Sequence, residues 1–274
     1  MKKLIFIISL FAIYLPSISQ DSTGEKSSKE SRKQAKKQKV SDLIRQDEEG
    51  ILVYSKQSIF GFQLRTNGYG FFIEKGKMKT QSKTNLYSFE FNETKHQKQD
   101  KLPNGSGGFT FGNPYIYGKI NNFYNVQLGF GQQKMLGQKG NKNGVAVMAV
   151  YGGGISIGLL KPYYINTTET RTNENVTIKW LGDESRNDTL FLDQSVPASS
   201  AGFFKGFNET KIRPGLFAKT GLRFDYGRYN EIVSAIECGI NVEYYFSEMP
   251  IMVNNQAKTF FANLYVGFEF GRRK

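Results

Sequence analysis

Cysteine, histidine and tryptophan are almost absent from this sequence, with one residue of each among 274. The single cysteine, Cys238, excludes an internal disulfide framework and a zinc site built from cysteines. The single histidine, His96, removes most His-rich metal sites. Long apolar runs are scarce too, and the mean hydropathy of −0.45 excludes a protein made of several membrane-spanning helices. No phosphate-binding loop, nucleotide fingerprint or metal-ligand spacing occurs, so we predict no cofactor and no metal ion.

Glycine, phenylalanine and tyrosine are abundant instead, with 29, 23 and 15 residues, and the formal net charge is +13. Hydrophobic residues make up 39% of the chain and charged residues 22%, which excludes a wholly disordered protein. The chain is long enough to bury a sizeable core. Composition by itself indicates no activity.

The N-terminus has the pattern of a secretory signal peptide over residues 1–19. Lys2 and Lys3 precede an uncharged apolar run from Leu4 to Leu15, and Pro16 ends that run. Small residues then occupy the positions that a signal peptidase reads. A buried apolar helix is the alternative, although it leaves the lysine pair unexplained. We predict an exported protein, and an exported chain makes nucleic acid a poor partner.

Residues 20–55 form a polar, basic segment. The part from Lys26 to Arg45 holds eight basic residues against two acids, Glu30 and Asp42. Few large apolar residues occur there, so we predict a disordered or partly helical periplasmic arm. Its basic charge makes residues 21–49 a candidate contact with an anionic surface or with periplasmic and envelope proteins.

From about residue 56 onward, apolar residues recur at every second position, which is the period of a β-strand. In the last segment, Phe260, Leu264 and Phe268 share one face, whereas Asn263 and Glu269 lie on the other. The strands are longer than those of most soluble sheets, and no amphipathic helix is available to cover the apolar faces. A closed sheet in a membrane needs no such cover, because its apolar face meets lipid. Residues 56–274 are therefore predicted to form an all-β, antiparallel transmembrane barrel in the outer membrane of a bacterium.

The predicted barrel has ten strands. They lie near residues 57–66, 69–79, 85–95, 109–119, 122–134, 144–165, 175–182, 213–225, 231–246 and 258–272. An even number brings both termini to the periplasm. Connections 80–84, 119–122 and 226–230 then lie at the periplasmic end, and 96–108, 135–143, 183–212 and 247–257 lie outside. If 175–182 only extends the long outer connection 166–212 and 57–77 is one strand, eight strands result.

Two tight turns support these boundaries. Asn67-Gly68 is typical of a type I′ hairpin, which would pair Leu64 with Phe71 and Phe62 with Ile73, and would place Arg65 and Glu74 on the opposite face. A second turn at Ile120-Asn121 would pair Tyr117 with Tyr124.

Residues 144–160 are uncharged and almost long enough to span a bilayer as a helix. The Gly152-Gly153-Gly154 run and the β-branched residues favour a strand instead. Cys238 falls on the row that faces lipid, as a small apolar side chain.

Four segments resemble a family of uncharacterised outer-membrane β-barrel proteins of Bacteroidota. They are TNGYGFF (66–72), the stretch 121–147 around NVQLGFGQQ, GLLKPYY (158–164) and the stretch 221–246 around GRYNEIVSAIECGINVEYYF. The resemblance covers about residues 56–274. It implies an outer-membrane location and a barrel fold, and it brings no catalytic residue with it.

Charged residues on the inner face are the candidate functional set. They are Arg65, Glu90, Lys219, Arg223, Glu237, Glu243 and Glu269, which we predict to form an ion-paired network in the lumen. The main functional prediction is a non-enzymatic structural, binding or envelope-assembly protein. A narrow pore is the alternative.

An outer-membrane hydrolase or acyltransferase is a further alternative. It would need His96 as the base, with Ser88 nearby in the sequence, or a carboxylate pair such as Glu237 and Glu243. In the long outer connection, Trp180 and the aromatic segment Gly202 to Phe207 could contact a partner or pack down as a lid.

Overall fold

The computed structural model describes residues 54–102, 113–140, 143–169, 171–172, 174–196 and 198–274. The predicted signal peptide and nearly all of the predicted arm lie outside these residues. In the described ranges, no helix has the length and apolar character needed to cross a membrane. The elements are β1 (Lys56–Arg65), β2 (Gly68–Thr80), β3 (Lys83–Thr94), β4 (Lys101–Leu102), β5 (Tyr115–Ile116), β6 (Asn121–Gly137), β7 (Ala146–Pro162), β8 (Tyr164–Thr168), β9 (Asn175–Lys179), α1 (Arg186–Phe191), β10 (Ala198–Ser200), β11 (Lys211–Asp225), β12 (Ile232–Met249) and β13 (Lys258–Arg273).

Eight of these strands close into an antiparallel barrel in the order β1-β13-β12-β11-β7-β6-β3-β2. The first and last strands close the ring, with Gln57 opposite Arg273 and Arg65 opposite Tyr265. We call the end that holds Lys56 and Arg273 the terminal end, and the opposite end the loop end. The predicted antiparallel barrel is confirmed with eight strands, and the count of ten is wrong.

The two surplus strands belong to structure outside the wall. Of the predicted strand 109–119, only Tyr115–Ile116 is a strand in the described part, and it pairs with β4. The predicted strand 175–182 is β9, which pairs with β8 in a separate sheet of three strands. Tyr115 and Ile178 are buried in one apolar cluster. Their alternating pattern therefore reflects a small core and not a membrane wall.

The predicted strand 109–119 is not part of the barrel wall. Its loss reverses the predicted directions of the next two strands, 122–134 and 144–165. The connection 135–143, predicted outside, therefore lies at the terminal end, where Lys139 Nζ donates a 2.5 Å hydrogen bond to the Gly227 carbonyl. The predicted turn at Ile120-Asn121 lies at the loop end and joins no hairpin, because β6 pairs with β3 and β7. The turn between β11 and β12 was predicted correctly.

The β1–β2 hairpin differs from its prediction by two residues in register. Arg65 is opposite Gly68, and Leu64 is opposite Tyr69, so Thr66 and Asn67 form the loop. Neither Asn67 nor Gly68 has a positive φ, so the predicted type I′ turn is wrong. A Cβ at Gly68 would collide with the Glu93 carbonyl on β3. The glycine is needed for this close approach of two strands, and the shift by two residues leaves every side chain on its predicted face.

The barrel wall is apolar outside and polar inside. Phe62 and Phe268 stack on the outer surface with ring centroids 5.0 Å apart, and Phe71 and Phe91 stack at 5.5 Å. Cys238 is exposed on the same outer surface. Charged and amide side chains are buried on the inner face. This distribution is that of a transmembrane barrel and the reverse of a water-soluble one.

Residues 146–162 form a continuous barrel strand, so the helical alternative for 144–160 is wrong. Gly154 faces Gly129 on β6, and Gly152 faces Gly131. These pairs leave a bare stretch of inner wall, and the Phe217 ring from β11 packs beside Gly129.

The described residues between 163 and 210, which we call the cap, form a small folded unit at the loop end. It contains the sheet β10-β8-β9, α1 and a buried apolar cluster that includes Ile165 and Phe191. Trp180 packs on this cluster, with its ring 6.0 Å from that of Phe191. The buried carboxylate of Asp188 accepts hydrogen bonds from the backbone N–H groups of residues 181–183 at 2.8–3.0 Å.

Candidate functional site

The seven residues predicted to face the lumen all have side chains inside the barrel. Six are buried as whole residues, and the side chain of Lys219 is 8% exposed. They come from β1, β3, β11, β12 and β13. Their contacts form two connected groups, one around Arg223 and Lys219 and one around Arg65.

Arg223 lies at the centre of the first group. Its guanidinium donates to the Glu74 carboxylate through two hydrogen bonds of 2.9 and 3.0 Å. It also donates to Glu237 at 2.9 Å and to the Gln133 amide oxygen at 2.8 Å, and it lies 2.8 Å from Glu269. A buried guanidinium is costly unless its donors are satisfied, and here carboxylates and an amide satisfy them.

Lys219 lies on the same inner face of β11, four residues before Arg223. Its ammonium contacts Glu90 at 2.8 Å and Glu237 at 3.7 Å. Glu90 also accepts a 2.9 Å hydrogen bond from Gln63, and Glu237 accepts one of 2.7 Å from the Tyr265 hydroxyl. The first group therefore joins side chains from most of the circumference.

The second group lies nearer to the loop end. Arg65 forms an ion pair with Glu243. Glu243 also accepts hydrogen bonds from Asn125 at 2.7 Å and from the Tyr245 hydroxyl at 2.8 Å. Asn125 and Glu243 lie three strands apart around the ring, so this group also crosses the lumen.

Aromatic side chains cover the second group at the loop end of the lumen. The rings of Phe123, Tyr245 and Phe261 contact one another with centroids 5.4–5.9 Å apart. A cavity beside Gly129 in the middle of the barrel has a volume of only about 10 Å³, which is room for a single water molecule. The described interior is filled by side chains.

The candidate set missed Glu74, which pairs with Arg223. The alternation in β2 placed Glu74 on the inner face together with Arg65, so the sequence carried a signal for its position. What the sequence does not show is that β2 lies opposite β11 in the closed ring. Asp225 and Arg273, which form a 2.5 Å ion pair at the terminal end, were missed for the same reason.

His96 and Ser88 do not form a catalytic pair in this structure. Ser88 lines the small cavity in mid-barrel, whereas His96 lies in the loop after β3. A strand rises about 3.3 Å per residue, which puts the end of β3 roughly 20 Å from Ser88. Partial burial, with the charges of Lys258 and Lys98, lowers the pKa of the His96 imidazole. Its Nδ1 accepts a 3.2 Å hydrogen bond from the Lys98 backbone.

The carboxylates Glu237 and Glu243 also do not act as a pair. Glu237 is bound to Arg223 and Lys219, and Glu243 to Arg65. In the residues that the structure describes, no group of three or more His, Cys, Asp or Glu side chains is arranged to hold a metal ion.

Three solved structures show a limited similarity to the backbone of this chain. The attachment invasion locus protein Ail of Yersinia pestis is 10% identical over 81% of this chain and 100% of its own, with a TM-score of 0.37. Neisserial surface protein A is 7% identical over 80% of this chain and 96% of its own, with a TM-score of 0.38. The N-terminal β-barrel domain of Pseudomonas aeruginosa OprF is 9% identical over 79% of this chain and 98% of its own, with a TM-score of 0.34.

Similarity at this level carries no argument about activity. No protein-family model matches the chain, and no curated protein matches it. The resemblance to a Bacteroidota family stays a prediction.

Proposed function

We propose that this protein is an integral outer-membrane barrel with a closed lumen, whose role is structural or binding and not catalytic. The observation that carries the proposal is the reversal of polarity across the wall. Large apolar side chains such as Phe60, Leu264 and Phe246 are exposed outside, while the charged residues are buried inside. Such a wall is unfavourable in water and favourable in lipid.

The contents of the lumen favour a closed barrel over the narrow pore. Ion pairs cross the barrel, and an aromatic cluster lies above them. An eight-stranded barrel has an interior just wide enough for side chains to fill. A solute would have to break the contacts of Arg223, which desolvation makes costly. The barrel thus supports the cap, and the cap and the loop-end surface are where binding would occur.

A fluorophore on the single cysteine tests the membrane location. Cys238 lies in the middle of the outer wall, between Leu222 on β11 and Val266 on β13. In phosphatidylcholine liposomes, an environment-sensitive label there should be quenched by nitroxides on the acyl chains and protected from iodide. The matched control carries Cys238→Ser with Ser195→Cys in the exposed part of the cap, and it should show the opposite pattern. Equal quenching of both labels by iodide would overturn the proposal.

A further inference from the structure

A cleft of about 410 Å³ lies at the loop end, between the barrel rim and the segment 200–205 of the cap. Five lysines line it, whereas the carboxylate in its lining is that of Glu93. The lysines are Lys95, Lys101, Lys119, Lys161 and Lys205. Within the part of the chain that the structure describes, none of the five forms an ion pair. We call this the loop-end cleft.

Lys119 is buried, with 3% of the residue exposed. Its ammonium donates to the Gln99 amide oxygen at 3.1 Å and lies 5.6 Å from the Tyr163 ring centroid. Burial lowers the pKa of Lys119 to about 8, with Glu93 acting against this shift and Lys95, Lys161 and Lys101 adding to it. A buried cation without a carboxylate partner is costly. Its presence among four other lysines indicates a site built for an anion.

Lys161 lies where the cleft meets the outer wall of the barrel. It follows Leu160 on β7, whose side chain faces the lumen, so Lys161 points outward. Its ammonium lies 4.3 Å from the Phe203 ring centroid and 4.4 Å from that of Phe207, and it donates to the Phe203 carbonyl. The segment that carries these phenylalanines therefore packs on the outside of the barrel. Phe204, between them, is 86% exposed.

The aromatic residues around the cleft continue into the apolar outer wall. Tyr69 and Tyr124 line the cleft, and the rings of Phe71, Phe91 and Tyr124 stack in a row with spacings of 5.5 and 5.9 Å. Tyrosines and phenylalanines at such a boundary are typical of the membrane–water interface. A molecule held in the cleft by its anionic group would have an apolar surface directly below it.

We propose that the loop-end cleft binds the anionic phosphate headgroup of a membrane lipid, whose acyl chains lie along the outer wall beside Phe71 and Phe91. This inference rests on the proposed membrane location. Lysines suit a phosphate because each ammonium offers three donors and a compact charge. The continuity of the basic cleft with the apolar wall favours a lipid over a soluble phosphate.

A lipid titration in detergent, followed by native mass spectrometry, tests the inference. The probes are dioleoyl phosphatidic acid, dioleoyl phosphatidylcholine and inorganic phosphate. The wild-type protein should bind phosphatidic acid at least about tenfold more tightly than phosphatidylcholine, since each lysine near an anionic lipid contributes measurably. Inorganic phosphate at millimolar concentration should not displace the lipid. Displacement at that concentration would show a site for soluble anions and overturn the lipid assignment.

Variants of exposed lysines separate the cleft from general charge. Lys95→Gln with Lys205→Gln should reduce the affinity for phosphatidic acid by roughly tenfold. The matched control is Lys75→Gln with Lys77→Gln, two exposed lysines on β2 toward the terminal end, which should leave it unchanged. Equal losses in both variants would overturn the inference. The titration is made in detergent, so it does not depend on insertion into a bilayer. A negative titration therefore counts against the lipid site alone, whereas a Cys238 label that lipid nitroxides do not quench counts against the membrane location.

Discussion

Arg223 and Glu74 form a bidentate ion pair across the full width of the barrel. They lie on β11 and β2, which are four strands apart in either direction around the ring, and the two hydrogen bonds measure 2.9 and 3.0 Å. A contact between diametrically opposite strands requires that the lumen be narrow and occupied. It ties the two halves of the wall together and blocks the axis at the same point.

Removing one partner of this pair should destabilise the barrel strongly. Arg223→Gln leaves the buried carboxylates of Glu74, Glu237 and Glu269 without the guanidinium that pairs with them, and we expect a loss of about 3–5 kcal/mol in the free energy of unfolding. Urea unfolding in lipid vesicles, followed by the gel-mobility difference between folded and unfolded barrel, measures this loss. The control is Lys75→Gln, whose side chain lies on the outer face of β2 next to Glu74. A change below about 0.5 kcal/mol for Arg223→Gln, the range of ordinary surface substitutions, would contradict the role given to the pair.

The free-energy cost of a charge on the outer wall should depend on its depth in the membrane. Leu264 lies near the middle of β13 and Ile232 begins β12, and both side chains are exposed outside. Leu264→Arg should cost about 2–4 kcal/mol in unfolding free energy, and Ile232→Arg about 0–1 kcal/mol, because the cost of a cation is greatest at the bilayer midplane. Both variants introduce an arginine, so the comparison tests its position along the wall. Equal costs in liposomes would count against a wall that spans the membrane.

The cap should depend on Asp188 for its local stability. Asp188→Ala removes three hydrogen bonds from backbone donors to a buried carboxylate, so we expect the cap to lose at least about 2 kcal/mol. Trp180 is the single tryptophan and packs on the cap core, so its fluorescence reports local unfolding in denaturant. Asp193→Ala is the matched control, because the Asp193 carboxylate accepts its hydrogen bonds from the exposed Ser195. Coincident unfolding curves for both variants would refute this role of Asp188.

Strand positions and the faces of their side chains were predictable from the sequence, because alternation is a local property. The seven lumen residues follow from parity in their own strands. The partners of those residues were not predictable: Arg223 meets Glu74 only because β1 and β13 close the ring. The strand count failed where Tyr115 and Ile178 alternate for another reason, the small core of the cap. Nor does any local pattern bring Lys95, Lys119 and Lys205 to one cleft, since they come from three separate connections.

Binding of an anionic lipid should weaken as the pH rises through about 8. The pKa of Lys119 is lowered to about 8, so its ammonium is charged below that pH and neutral above it. Glu93, Lys95, Lys161 and Lys101 are the charged groups that act on Lys119, and neutralising Lys119 removes one of the five cations that line the cleft. Affinity for dioleoyl phosphatidylglycerol, a phosphodiester whose charge does not change from pH 6.5 to 9.5, should fall across the midpoint.

Lys119→Arg is the control for this pH response, because arginine stays protonated throughout the range. Its affinity should vary little with pH. A fall of the same size in Lys119→Arg as in the wild type would assign the response to another group.

Single-channel recording in a planar lipid bilayer distinguishes a membrane-spanning barrel with a closed lumen from an open pore. The labelled Cys238 confirms insertion in the same preparation, and a general porin reconstituted in parallel shows that the assay detects an open barrel. With insertion established, the wild-type protein should leave the current at the baseline of the bare bilayer in about 1 M salt, at which charges are strongly screened. Reproducible stepwise conductance that scales with salt concentration would contradict the closed lumen and favour the pore.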